Sequence, residues 1–536
     1  MTHGMISAPQ PEAVEAGIEV FKAGGNAVDA AIACAIVQTA VDPQMCGIAG
    51  FGNIQLYLPS LGVHTTFDFH GRSPLATKAD MWEHLIEHEA LDGWGFILKG
   101  RVNEFGYGAI TTPRTLATFG EVLSRYGTKS IAELIQPAIA YCEDGVMIRP
   151  HMSAFWNMPS VAGRDANISM VNKLPATRKI YCREDGSVLG VGDTLRNSDM
   201  GRTLRRIAEH GIEDFYQGEI ANKIVADMEA NGGLITHEDL TNCEPEENEP
   251  LWGEYRGYRF STNHPPGGGI MLIEMLNILE NFDLQAMGHN SPEYISVVAE
   301  AMKIATIDKD NKVGDPRFCD VPVIELTSKE YAARMAEKIK RGEKADVARL
   351  NNGGQESKNT TQVTVMDEHG NCVTMTHTLG QPSGVVTDGL GFMYNGAMTV
   401  FDPRPGRSGS LAPGKARFTA VSPTIVFKDD KPFLVLGAPG ATYITMGNLQ
   451  VMLNVLDFDM NAQEAVSAPR IAATSNNIEI SNRILRSAEW DLRAQGYPVV
   501  RHPVSYTFAW VHAIRIVDGK WDGGADPATD GMAIAV

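Results

Sequence analysis

Asn359-Thr360-Thr361-Gln362-Val363-Thr364-Val365-Met366-Asp367-Glu368-His369-Gly370-Asn371-Cys372-Val373-Thr374-Met375-Thr376-His377-Thr378 holds two runs of strand-forming residues around a tight turn. Thr361 to Met366 and Cys372 to Leu379 are rich in Thr and Val, and Asp367 to Asn371 is turn chemistry, so the stretch predicts a β-hairpin. A turn centred on His369 sets Thr360 opposite Thr378, and cross-strand Cβ atoms lie about 4.5–5.5 Å apart. The preceding run, Asn351 to Lys358, is polar and aperiodic and reads as an exposed loop. A threonine hydroxyl is a weak nucleophile that needs a base beside it. When threonine is the first residue of a chain, its own α-amine, with a pKa of about 7.7–8.0, can serve. Thr360 is internal, so its hydroxyl would first have to attack the carbonyl of Asn359, giving an ester that water hydrolyses. Threonine pairs are ordinary in strands, and the hairpin by itself does not establish an active site.

Outward from the hairpin, the chain divides by pattern. Val14, Ile18 and Phe21 share one helical face, Gly24-Gly25 stop that helix, and Asn26 caps a second from Ala27 to Ala40. Ile54 to Leu58 reads as a strand after the glycine-rich turn Cys46 to Asn53. Residues 115–345 read as mostly helical, with apolar spacing over Leu204 to His210, Gly218 to Ala230, Met271 to Leu279 and Ile295 to Ile307. His264-Pro265-Pro266-Gly267-Gly268-Gly269 lacks the Lys-Ser/Thr of a phosphate loop and reads as a close-packing turn. Beyond the hairpin, Thr424 to Phe427 and Phe433 to Leu436 are further strands.

Composition narrows the partners. Lys and Arg number 46 against 65 Asp and Glu, a formal charge of −19, and the pI is about 5.2. Such an acidic surface repels nucleic-acid phosphates and anionic lipid, so neither nucleic acid nor membrane is an expected partner. Seven scattered cysteines without CxxC spacing predict reduced thiols in a cytoplasmic compartment and no structural zinc. Met1 to Met5 carries no basic start with an apolar run, so no signal peptide is expected. Ala27 to Val41, broken by Asp29 and Gln38, is too short to span a bilayer.

Several longer motifs resemble one family. Glu19 to Ala31, Gly232 to Leu240, Glu300 to Lys303, Thr360 to Asp367, Ser422 to Val426 and Gly437 to Ala441 occur in the order seen in γ-glutamyltranspeptidases, which are N-terminal nucleophile hydrolases. The resemblance implies an α+β fold: a four-layer αββα sandwich built from both products of self-cleavage. Residues 1–359 would form a large fragment and 360–536 a small one beginning with the nucleophile, together making one structural domain. It implies cleavage between Asn359 and Thr360, with Thr378 hydrogen-bonding the nucleophile. Gly440 and Ala441 fall where the family has two glycines whose N–H groups form an oxyanion hole. No cofactor and no metal is implied.

The recognition positions depart from the family. His70, in Asp68-Phe69-His70-Gly71-Arg72, stands where the family has the arginine that holds the γ-glutamyl carboxylate. Arg72 lies two residues on, about 6–7 Å along a strand. Gly380, followed by Gln381, replaces an asparagine. Val400 replaces the carboxylate that holds the ammonium, and Thr419-Ala420 replaces a pair of serines. Losing a charge partner in a desolvated site typically costs several kcal/mol. The favoured function is therefore an amidase or acylase acting on a small-molecule amide whose acyl group lacks a charge of γ-glutamate, with His70 and Arg72 as candidate holders of an anionic acid. Asp402 and Arg404, near the family's lid, receive no role. True γ-glutamyl transfer or glutathione hydrolysis is the alternative, and an uncleaved binding protein the third. A homo-oligomer is left open.

Overall fold

The computed structural model describes residues 3–91, 95–161, 163–348 and 359–536. The expected exposed loop at 351–358 lies outside the described residues.

The hairpin forms as Thr361–Asp367 and Cys372–Thr378, and its register pairs Thr361 with His377 and Val363 with Met375. Asp367 closes the turn, its Oδ1 accepting from the His369 and Asn371 amides. The hairpin is the middle of a seven-stranded antiparallel sheet. Gly4–Ala8 and Met532–Ala535 lie on one side, and Phe51–Leu58, Val63–Phe69 and Glu246–Asn248 on the other. A second antiparallel sheet runs Lys520–Ala525, His512–Val517, Lys431–Gly437, Thr424–Lys428, Tyr258–Thr262, Leu251–Tyr255.

Side-chain alternation sets the layers, because successive residues of a strand face opposite sides. Val363, Val365, Val373 and Met375 join the apolar core under the helices Pro11–Lys22 and Ala27–Val41. Phe260, Val426, Leu434 and Leu436 of the second sheet join another core with Gly269–Leu279, Pro292–Lys312 and Ile444–Leu456. Between the sheets lies a small third core, Met5, Met366, Cys372, Ile425, Phe427, Val435 and Ile514. The rest of that inner layer is polar: the Thr364 hydroxyl donates to the His512 carbonyl at 3.1 Å and that of Thr374 to the Leu436 carbonyl at 3.0 Å. Three cores in three gaps make the four-layer αββα sandwich.

Local signals explain the helices. Asn26 caps Ala27–Val41 in a capping box with Asp29, and 14 of that helix's 15 residues are buried, which explains its apolar character on all sides. The segment expected to be mostly helical is interrupted by the hairpin Leu251–Tyr255 and Tyr258–Thr262, which lays two strands on the second sheet. Its two-residue turn, Arg256 (φ 49°) and Gly257 (φ 81°), has the left-handed backbone that suits the twist of tight hairpins. The seven cysteines are unpaired, five of them buried.

One glycine keeps the nucleophile hairpin in place. Gly52 pairs with His377, and a Cβ there would lie 2.2 Å from the Thr376 carbonyl oxygen. Gly52→Ala should force the strands apart at a cost of about 1–3 kcal/mol, read as a melting temperature several degrees below wild type. An unchanged melting temperature would contradict this packing.

Candidate functional site

Thr360 and Thr378 have the parity of Gln362 and Thr376, so their side chains belong to the polar layer between the sheets. The two hydroxyl oxygens are 3.0 Å apart. The Thr360 hydroxyl donates to the carbonyl oxygen of Asn359 at 2.6 Å, and the Thr378 hydroxyl donates to the same oxygen. The Gly380 N–H donates to Thr378 Oγ at 2.7 Å. Thr378 thus accepts from the backbone and keeps its single proton for the Asn359 carbonyl. Asn359 and Thr360 are 1% and 6% exposed, so the bond between them is closed to any separate protease, while the Thr360 hydroxyl already touches its carbonyl. His377, next to Thr378, faces the helices and bonds Gln38 at 2.7 Å. Burial pushes its pKa down to about 3, so it is neutral and turned away from the hydroxyls.

Both threonines line a cavity of about 440 Å³, together with Gly380, Val400, Thr419, Ala420 and Ala441. Strand Lys431–Gly437 leads to this wall through Ala438-Pro439-Gly440-Ala441 and on into the helix Ile444–Leu456. Gly440 has φ 146°, and a Cβ there would lie 2.6 Å from Ala509 Cα. Ala441 has φ 52°, a left-handed backbone that costs a residue with Cβ roughly 1–2 kcal/mol. Neither N–H donates to a backbone carbonyl among the described residues. The positive end of the following helix adds to a field suited to a developing oxyanion.

The recognition residues fall into two groups: Gly380, Val400, Thr419 and Ala420 line the cavity, and His70, Arg72 and Gln381 do not. His70 is buried behind the cavity wall, with Nδ1 2.9 Å from Asp68 and Nε2 2.5 Å from the Thr419 hydroxyl. Burial pushes the Asp68 carboxyl up, but the His70 ring, its hydrogen bonds and Arg114 more than offset this and hold it below its ordinary range. Arg72 does not line the cavity. Its guanidinium is paired with Glu246, because the neighbouring strand Glu246–Asn248 presents that carboxylate to it. Both expected holders of an acyl anion thus have partners within the protein, and neither lines the cavity. Gln381 is buried outside the cavity, its N–H bonded to the Leu379 carbonyl at 2.8 Å.

The cavity's charged lining was not read from the sequence, apart from Asp402 and Arg404. Lys309 pairs with Asp310. Arg404 grips Asp402 by two hydrogen bonds of 2.9 and 2.7 Å, and its guanidinium lies 4.5 Å from the Phe96 ring centroid. Glu89 and Arg407 complete the rim, and Arg417 lies in the wall. Arg417 stands two residues before Thr419, so its nearness to that motif was the available signal. Among the described residues, no group of three or more His, Cys, Asp or Glu side chains is gathered as metal ligands would be.

Comparison with known proteins finds related sequences and a related structure along nearly the whole chain. The family model described as Gamma-glutamyltranspeptidase matches residues 13–536. Acylase ACY 1 proenzyme from Pseudomonas sp. (strain V22) is 36% identical over 541 residues, covering 100% of this chain and 94% of the relative. Glutathione hydrolase proenzyme from Escherichia coli (strain K12) is 34% identical over 483 residues, covering 87% of this chain and 80% of the relative. The crystal structure of cephalosporin acylase from Bacillus halodurans superposes with a TM-score of 0.88 at 28% identity, covering 99% of this chain and 96% of that one.

Thr378→Val keeps the shape of the side chain but removes its hydroxyl from the Asn359 carbonyl and from Thr360. Losing one such donor should slow cleavage of the Asn359–Thr360 bond by about 10²–10³-fold, followed as loss of the full-length band over time. A rate within threefold of wild type would show that Thr378 takes no part.

Proposed function

The chain belongs to the gamma-glutamyltranspeptidase family, and from that membership and the geometry around Thr360 we propose that it is a self-processing threonine amidohydrolase. The observation that carries this reading is the convergence of two threonine hydroxyls on the buried carbonyl of Asn359. In the processing step, Thr360 Oγ bonds to the Asn359 carbonyl carbon, and the bond from that carbon to the Thr360 nitrogen breaks. The hydroxyl proton goes to the departing nitrogen, leaving an ester, and Thr378 steadies the carbonyl oxygen as charge builds on it. Water then splits the ester into the Asn359 carboxylate and the free Thr360 hydroxyl. The products are residues 1–359 and 360–536. Strand pairing across the cut, Gly4–Ala8 and Phe51–Leu58 on either side of the Thr360 hairpin, would hold them together.

The freed α-amine of Thr360 is the base for the second reaction. It takes the hydroxyl proton as Oγ attacks a substrate amide, the Gly440 and Ala441 N–H groups face the oxyanion, and the amine product leaves with a proton. Water releases the acid from the acyl-enzyme. The names of the relatives, acylase and glutathione hydrolase proenzymes, support an amide substrate and a processed precursor.

For the acyl group, the lining favours one that lacks the γ-glutamyl ammonium. The Val400 side chain offers no acceptor, and two of the three lining carboxylates, Asp310 and Asp402, are already paired with Lys309 and Arg404. Burying an ammonium without a partner is costly. A short dicarboxylic half-amide such as a glutaryl amide is the substrate class proposed.

Mass spectrometry of the purified wild type should give the two fragments split at Thr360, and Thr360→Ala a single full-length chain. A wild type that stays intact for days while hydrolysing amides at full rate would refute the nucleophile. A glutaryl anilide should exceed its γ-glutamyl counterpart in kcat/KM. A γ-glutamyl preference of about tenfold, or about 1.4 kcal/mol, would instead assign the ammonium to a carboxylate such as Glu89 and make the enzyme a γ-glutamyl hydrolase.

A further inference from the structure

The charges around the cavity do not cancel evenly. Four cationic side chains line it, Lys309, Arg404, Arg407 and Arg417, against three carboxylates, Glu89, Asp310 and Asp402. Lys309 is joined to Asp310, Arg404 to Asp402, and Arg407 comes within 4.0 Å of Asp402. Arg417 alone of the four has no carboxylate within ion-pair distance among the described residues. Its Nε donates to the Phe418 carbonyl at 2.9 Å, and its Nη1 is buried with no hydrogen-bond partner. Burial pushes its pKa down to about 9, which still leaves it cationic at neutral pH. A guanidinium has five N–H donors in a planar fork that matches a carboxylate. Arg417 as a whole is part-exposed, but leaving its buried Nη1 N–H without a partner is costly, and none of the molecule's 65 acidic side chains supplies one among the described residues. The same wall carries Thr419, Ala420, Thr360 and Thr378.

We infer that Arg417 is the anion anchor of the cavity: a carboxylate on the acyl part of the substrate docks on its guanidinium while the amide carbonyl lies against Thr360. This rests on the amidohydrolase reading and gives its acyl group an anchor of different origin from His70 and Arg72, which are occupied within the protein. A short dicarboxylic half-amide would supply the carboxylate that Arg417 lacks.

The processed protein and its Arg417→Gln and Arg417→Lys variants can be compared on a glutaryl anilide and the neutral pentanoyl anilide of equal length. Self-cleavage, seen on a denaturing gel, reports that each variant folds. Arg417→Gln should lose about 100-fold or more in kcat/KM for the glutaryl substrate, mainly through KM, and less than threefold for the pentanoyl one. Arg417→Lys should recover part of the loss. Equal losses on both substrates, or a glutaryl preference that survives Arg417→Gln, would overturn the assignment. So would a loss confined to a pentanoyl amide of aminobenzoate, whose carboxylate sits on the leaving amine. Free glutarate gives an arm that needs no turnover. It should raise the melting temperature of the processed wild type more than pentanoate does, and this difference should vanish in Arg417→Gln. That difference supports the anchor even if no amide is hydrolysed, whereas its absence in a protein that hydrolyses amides refutes the anchor and leaves the amidohydrolase standing.

Discussion

The antiparallel register between Thr361–Asp367 and Cys372–Thr378 is the constraint on which the rest of the site depends. Side chains opposite one another on one face of a sheet are close enough for two hydroxyls to converge on one carbonyl, and a slip of one residue would turn one of them to the other face. The register is held at the turn and along one flank. Asp367 ties the turn, Phe51–Leu58 pairs along the outer side of the second strand, and Gly52 lets that pairing come close where Thr376 and His377 lie. The carbonyl of Asn359 then falls between the hydroxyls because it belongs to the residue just outside the first strand.

A buried peptide bond touched by two hydroxyls is set apart from its surroundings by the polar layer in which it lies. Polar side chains fill much of the gap between the sheets, where an ordinary sandwich would be apolar, so water and charge can be managed at its open end. The second sheet supplies the opposite wall through the Gly440-Ala441 turn. Ala441 retains a left-handed backbone that a glycine would adopt at less cost, so the turn's shape is imposed by packing around it, including Ala509 against Gly440.

Charge pairing leaves two charges of this cavity without an ion-pair partner among the described residues, Glu89 and Arg417. Of its carboxylates, Asp402 lies in the fork of Arg404, and Asp310 lies against Lys309. A carboxylate engaged in this way has little left to offer an incoming ammonium, whereas the guanidinium of Arg417 still has donors to give. The polarity of the pocket is thus set by which charges found partners during folding, not by how many of each are present.

The sequence by itself determined the hairpin, its register and the threonine pair, because strand propensity and turn chemistry act between neighbours in the chain. It also carried the family motifs and the Asn26 cap. The strands Gly4–Ala8 and Met532–Ala535, and the hairpin of Leu251–Tyr255 with Tyr258–Thr262, were not legible in the same way. The two strands are short and gain their order from pairing with distant segments. The hairpin lay in a stretch whose helical periodicity dominated the reading, although Arg256-Gly257 carried its turn signal. The fates of His70 and Arg72 belonged to the tertiary structure, since Thr419 is 349 positions from His70 along the chain and Glu246 arrives on another strand. Arg417 was visible as a residue, but that it is the one of the four lining cations without a carboxylate among the described residues could emerge only from the placement of the others. Local interactions repeat along the sequence and can be read there, whereas the pairing of buried charges depends on which distant segments the fold brings within a few ångströms.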